Sequence, residues 1–167
     1  MSGEVEVRRA RTDDVPAVRA LVDRYAPDRR LLSKATVTLY EDVQEFVVAQ
    51  VDGQVVGCAA LHVLWADLAE VRTVAVDPEV QGRGVGSALL QRLLRRAADL
   101  GVRRVFCLTF ETAFFARHGF APADEVLVDA RVQEELLRSH DEGVAEFLDL
   151  AHVRPNTLGN TRMLKVL

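Results

Sequence analysis

The chain of 167 residues holds only two cysteines, and its four histidines are scattered without a metal ligand's spacing. Neither a disulfide framework nor a metal site is therefore expected. Cys58 and Cys107 each lie inside an apolar, β-like run, where a reduced, buried thiol is the expectation. Long apolar runs are also missing: nothing approaches the roughly 20 residues of a membrane span, and the N-terminal MSGEVEVRRARTDD lacks an apolar signal core. A cytoplasmic protein is expected. The formal net charge of −4 argues against nucleic acid or an anionic membrane as the partner of the whole surface. The local basic clusters, Arg8, Arg9 and Arg11 and then Arg92, Arg95 and Arg96, read as solvated faces. Repeats, low-complexity tracts and linkers are absent as well. One domain over residues 1–167 is expected, with 49% hydrophobic residues to build its core.

What the chain does have is a glycine-rich loop between a strand and a helix, from Arg72 to Leu90: RTVAVDPEVQGRGVGSALL. Gly82, Gly84 and Gly86 remove side chains where an anion would approach the main chain. The helix after the loop adds unpaired N–H groups and its positive dipole end. A pyrophosphate is the natural guest. A Walker loop would end in Gly-Lys-Ser/Thr, which is absent, and a dinucleotide fingerprint would put its third glycine where Ser87 stands.

Around the loop, hydrophobic periodicity predicts an edge strand over Glu4–Arg9 and a helix capped by Thr12 or Asp13, carrying Val15, Val18, Leu21 and Val22 and ended by Pro27. Leu31–Gln44 reads as a loop and short helix. Strands come next over Glu45–Val51 and Gln54–Leu64, joined at the hairpin dipeptide Asp52-Gly53, and then over Ala69–Val76. A helix over Val85–Leu100 stops at Gly101; after it come a strand over Arg103–Phe110 and a helix over Ala113–His118. Beyond these, Val132–Leu137 reads as helical and Ala145–Val153 as a final strand, with Arg154-Pro155-Asn156 breaking the pattern before an amphipathic tail.

The pattern Gln81-x-x-Gly84-x-Gly86, behind a Val-x-Val-x-Pro strand end, resembles the acetyl-CoA signature of the GNAT superfamily of N-acyltransferases. The resemblance implies an α/β (α+β) fold: a mixed, mostly antiparallel central sheet with helices on both faces and a splayed strand pair at the CoA site. It implies acetyl-CoA as co-substrate, with Val74, Ala75 and Val76 along the pantetheine and Gln81, Gly82, Arg83, Gly84, Val85, Gly86 and Ser87 at the diphosphate. It also implies a general base at Glu70, on the strand that leads into the loop. Acyl transfer to an amine needs such a group, because the amine arrives protonated at neutral pH. Phe115 stands where many such enzymes carry the tyrosine that protonates the leaving thiolate, which leaves the general acid unidentified; His118 reads as structural.

A narrower resemblance concerns the acceptor. Phe46-Val47-Val48-Ala49 and Val55-Val56-Gly57-Cys58-Ala59-Ala60-Leu61-His62 are similar to the "IxGCAALY" strand pair of bacterial N-acetylglutamate synthases. Val105–Thr109 with Phe114-Phe115-x-x-His118-Gly119-Phe120 is similar to their "LFVLTT…WFxxxGF", and Asn160–Leu167 to their terminal "R-x-S-K-V-L". This implies acetyl transfer to the α-amino group of L-glutamate, or of glutamine, at the start of arginine biosynthesis. Two carboxylates on the acceptor call for cations. Arg72 shares the face of Glu70 by the period-two rule, Lys34 lies in a segment similar to the synthases' basic "LVRRS", and Arg162 comes from the tail. The larger synthases carry an arginine-binding, kinase-like domain without counterpart in these residues, so an inhibitory arginine would bind within this domain or at a subunit interface. N-acyltransferases of this size imply a homodimer. Two other readings stay open: acetylation of another small amine or a peptide terminus, and a non-catalytic CoA-binding module.

Overall fold

The computed structural model describes residues 2–26, 34–124, 127–148 and 159–167. Seven strands form one sheet: β1 (Glu6–Arg9), β2 (Phe46–Val51), β3 (Gln54–Trp65), β4 (Leu68–Val76), β5 (Arg104–Thr109), β6 (Ala121–Pro122) and β7 (Thr161–Val166). They lie in the order β1-β2-β3-β4-β5-β7-β6, and only β4 and β5 run parallel. Asp52 and Gly53 both adopt positive φ, 50° and 78°, as a two-residue hairpin between right-twisted strands requires. A parallel pair needs a crossover instead. Here it is α3 (Val85–Asp99), whose Val85, Leu89, Leu90, Leu93 and Ala97 are buried at helical spacing. Gly101, at φ 87°, ends α3: its N–H donates to the Ala98 carbonyl and that of Val102 to the Ala97 carbonyl, both at 3.0 Å.

Alternation along the strands divides the core. Val47, Ala49, Ala69, Val71, Val105 and Cys107 point to the face covered by α3 and by α4 (Thr112–Arg117). The other face carries α1 (Val15–Tyr25) and α2 (Thr36–Glu41) at one end. At its other end Leu68, Phe106 and Leu164 meet α5 (Ala130–Leu136) and α6 (Glu142–Phe147). Cys58 and Cys107 are both buried free thiols. Among the described residues no helix is long and apolar enough to cross a membrane, and no group of three or more His, Cys, Asp or Glu could hold a metal ion.

Two irregularities interrupt β4 and shape the centre of the sheet. Its pairing with β5 covers only Leu68, Ala69 and Glu70, although both strands run on, so the two splay apart beyond Glu70. Thr73, a β-branched residue, holds a φ of 58°, and the register with β3 slips between Cys58 and Ala60. Such a conformation is costly for a branched side chain, and its effect is a bulge that inverts the alternation. Before Thr73 the odd residues Ala69 and Val71 face α3; after it the even residues Val74 and Val76 do.

Three expectations are corrected. Neither Thr12 nor Asp13 caps α1: a single 3₁₀ turn over Thr12–Asp14 precedes it, and the buried Asp14 accepts from the Arg11 N–H at 2.7 Å and from Arg8 at 2.8 and 2.9 Å. Ala145–Phe147 is helical, because Asp141 caps α6 by accepting from the Val144 N–H. The amphipathic tail is the last strand, β7, inserted between β5 and β6. Pro27, the Leu31-Leu32-Ser33 stretch and Arg154-Pro155-Asn156 lie outside the described residues.

Candidate active site

The splay between β4 and β5 opens into a cleft of about 560 Å³, lined by residues 71–74 of β4, by the glycine loop and by residues 107–111 at the end of β5. Gly82 and Gly84 adopt φ 82° and 80°, and a Cβ on either would meet no atom within 4 Å. Both are glycine for backbone conformation, and both look onto open space. Gly84 caps α3, leaving the first N–H groups of the helix without an intrahelical acceptor. A phosphate fits this cradle, since donors and the helix dipole converge where no side chain intrudes. Gly86 differs: a Cβ there would sit 3.4 Å from the Phe114 ring, so this glycine lets α3 approach α4.

At the floor of the splay lies Glu70, 4% exposed, paired with Phe106 on β5 and with His62 on β3. Arg72 shares its face, since the bulge comes one residue later; its Nη1 lies 3.6 Å from Glu70 Oε1. Both terminal nitrogens of Arg72 donate to Asp141, at 2.5 and 2.8 Å, and Nη2 also reaches Glu45 Oε1 at 3.5 Å. Asp141 thus holds Arg72 and caps α6 at once. Gly143 makes room for this, because a Cβ there would come 2.1 Å from Arg72 Nη1. Glu45 also holds His62, whose Nδ1 lies 2.8 Å from Oε2.

The electrostatics arise from burial. Desolvation pushes Glu70 up to about 7; Arg72 and His62 oppose it, and Glu146 and Asp141 add to it. Burial works against the Arg72 cation, but the Asp141 hydrogen bond and the charges of Glu70, Asp141 and Glu45 outweigh it and hold the guanidinium above its usual range. Burial also opposes the Asp141 anion, and there Arg72 prevails, keeping the carboxyl below the usual carboxylate range. Lys34, half-buried beside this cluster, is lowered by burial first and by Arg72 second.

A Gly-rich anion cradle beside a splayed parallel pair, with a buried carboxyl at the fork, has known counterparts. Residues 13–120 match the model of the acetyltransferase (GNAT) family. The chain belongs to that family. It is 62% identical over 164 residues to the amino-acid acetyltransferase of Mycobacterium tuberculosis, across 96% of this chain and 94% of that one. A Mycobacterium tuberculosis protein solved in complex with CoA superposes with a TM-score of 0.93 at 61% identity, covering 97% of this chain and 99% of that chain. The N-acetylglutamate synthase of Neisseria gonorrhoeae, complexed with coenzyme A and N-acetyl-glutamate, gives 0.78 at 25% identity, covering 100% of this chain and 36% of that one.

Most residues of the GNAT signature meet at the cleft: Val74, Val76, Gln81, Gly82, Gly84, Val85, Gly86, Ser87 and Phe115 line it. Ala75 turns its side chain to the opposite face, among the α1 and α2 residues, and leaves only main chain on this side. Arg83 extends away to donate to the Gly3 carbonyl at 2.9 Å. Phe115 is buried edge-on to Phe120. His118 Nε2 lies 3.0 Å from Ser87 Oγ, which ties α4 to the start of α3. Of the three cations, Arg72 and Lys34 come together near Glu70, while Arg162 on β7 donates to the Phe147 carbonyl at 3.1 Å and stacks over that ring.

Reading the sequence missed Tyr25, Glu45, Asp141 and Gly143. Tyr25, at the end of α1, donates to the Val76 carbonyl and accepts from Gln81 Nε2 at 3.3 Å, bracing the end of β4 against the loop. Asp141 had a local signal: an aspartate three residues before Val144 is a helix cap. Nothing in the sequence around Tyr25 or Glu45 announces a partner 51 or 27 residues away.

Proposed function

We propose that the protein transfers an acetyl group from acetyl-CoA to the α-amino group of L-glutamate, or of L-glutamine, as the first step of arginine biosynthesis. The near full-length likeness to a named amino-acid acetyltransferase carries this reading. The geometry adds a reason to expect amine chemistry: a buried carboxyl poised at about 7 stands at the fork of the two strands.

When bound, acetyl-CoA supplies a thioester carbonyl open to attack by a neutral amine. The Gly82–Ser87 main chain and the start of α3 are suited to hold its diphosphate, and the wall of Val74 and Val76 its pantetheine. Glu70 acts as general base, taking a proton from the acceptor ammonium. A base with a pKa near the working pH combines a useful ionised fraction with a strong pull on the proton, worth roughly 10²–10⁴ in rate. Arg72 keeps Glu70 from rising further and anchors α6 over the site through Asp141. Lys34 and Arg72 supply positive charge for the acceptor's carboxylates, and Arg162 does so from the β7 side.

A thiol-release assay with each of the twenty amino acids tests the reading: turnover with glutamate or glutamine is expected, and none with either overturns the acceptor assignment. The same reading makes the chain a single cytoplasmic domain acting as a homodimer. Light scattering on the purified protein checks that last point, with a mass near twice 18.5 kDa expected. Any inhibition by arginine would show in the same thiol assay.

A further inference from the structure

Each turnover on a protonated amine leaves one proton behind, and Glu70 must shed it before it can act again. Glu70 has little direct access to solvent, with a side chain 6% exposed. His62 faces it in the antiparallel register of β3 and β4, so the two side chains share a face with Cβ atoms roughly 5 Å apart. On its other side His62 offers Nδ1 to Glu45, 2.8 Å from Oε2 and 3.1 Å from Oε1. Side-chain exposure rises along the series, from 6% at Glu70 through 19% at His62 to 25% at Glu45. A neutral imidazole that donates Nδ1–H to Glu45 has its lone pair on Nε2.

We propose that His62, held by Glu45, is the outward proton relay of Glu70. The inference rests on Glu70 being the base of the reaction proposed above. The Glu70 carboxylic acid gives its proton to His62 Nε2, which restores the carboxylate. The imidazolium, held by the Glu45 carboxylate, then loses one proton to water, so one proton enters and one leaves per cycle. His62 acts through Glu70 and is a positioning residue in this sense. The surrounding charges set the balance. Glu45 and Asp141 favour the imidazolium, whereas Arg72, 3.5 Å from Glu45 and 3.6 Å from Glu70, opposes it. Glu146 on α6 lies beside Glu70, and Lys34 with Asp42 sits on the α2 side near Glu45.

Two measurements on the intact protein test the relay. The first needs no turnover: an infrared titration of the buried carboxylic acid band, assigned to Glu70 by its loss in Glu70→Gln. His62→Gln is expected to move its midpoint upward by about 0.5 unit or more, because a group that lowers Glu70 is gone; an unmoved midpoint overturns the proposal. The second is kcat with the amino acid that the wild type turns over best. His62→Gln should lower kcat about tenfold with the KM for acetyl-CoA within twofold, and imidazole buffer should restore most of the loss. An unchanged kcat, or a loss that imidazole does not relieve, overturns the relay. Glu45→Gln, which leaves the imidazole in place, should show a smaller loss of about threefold with the same relief, and keeps the test alive should His62→Gln not fold. A wild type that turns over no amino acid would defeat the acceptor assignment, while the titration would still decide whether His62 and Glu70 are joined.

Discussion

The two sides of the cleft are made of different material. The loop side is main chain: Gly82 and Gly84 at positive φ, a helix start, and valines along the end of β4. The Glu70 side is charged side chain, with Glu45, His62, Glu70, Arg72 and Asp141 gathered from four separate stretches of sequence. A backbone cradle suits a ligand that never varies, because peptide groups cannot be exchanged by substitution. A cluster of side chains can be retuned one member at a time. The family keeps one donor while its relatives carry varied names, and the division of labour in this site shows how that is possible.

The comparison can be broken hardest at Glu70. Glu70→Gln should lower kcat by about 10²–10⁴ at neutral pH while acetyl-CoA affinity, measured by calorimetry, stays within about twofold; a parallel loss of affinity would mean that the two sides are not separable. In the wild type kcat should rise through about pH 7 as Glu70 ionises. Stability should move the other way. An acid whose folded pKa is raised favours folding below the usual carboxylate range and loses that contribution as pH climbs through about 7. Glu70→Gln should therefore melt about 3 °C or more above the wild type at pH 8 and little above it at pH 5, as differential scanning calorimetry would show.

Next comes Gly143. Gly143→Ala drives a methyl group to 2.1 Å from Arg72 Nη1 and 3.0 Å from Asp141 Oδ1, so the guanidinium has to leave its carboxylate. A fall of about 30-fold in kcat/KM for the amino acid is expected, with the KM for acetyl-CoA unchanged, from steady-state kinetics varied in each substrate. Gly84→Ala should do the reverse: the strained φ and a methyl in the cradle should raise the KM for acetyl-CoA about tenfold and leave the pH dependence of kcat in place. The smallest effect is expected at Tyr25. Tyr25→Phe removes one hydrogen bond to the Val76 carbonyl, about 1 kcal/mol, and should raise the KM for acetyl-CoA about fivefold.

The same division governs what could be read without a structure. Positive φ leaves a mark in sequence, because glycine answers it, so the loop, the hairpin at Asp52-Gly53 and the stop at Gly101 all stand where expected. Glu70 and Arg72 could be placed on one face by counting in twos, which holds because the bulge falls after both. Glu45, Asp141 and Tyr25 could not be found this way, since a charge or hydroxyl that meets a distant partner looks like any surface residue until the chain is folded. The segment after Ala130 failed for a related reason. Short helices of six and seven residues carry too few turns for a period, and β7 lies between two strands with only Met163 fully buried, so its alternation is faint.

Thr73 joins two reading frames within one strand. Because the single left-handed residue reverses which side chains face which way, residues 68–72 and residues 74–76 answer to different neighbours although no loop parts them. A change of acceptor preference can be written into the first stretch without rewording the second. The length of β4, by contrast, admits no edit: deleting Thr73 would turn Val74 and Val76 out of the cleft and carry Ala75 into it, and the donor site would lose its wall though every residue that forms it remained.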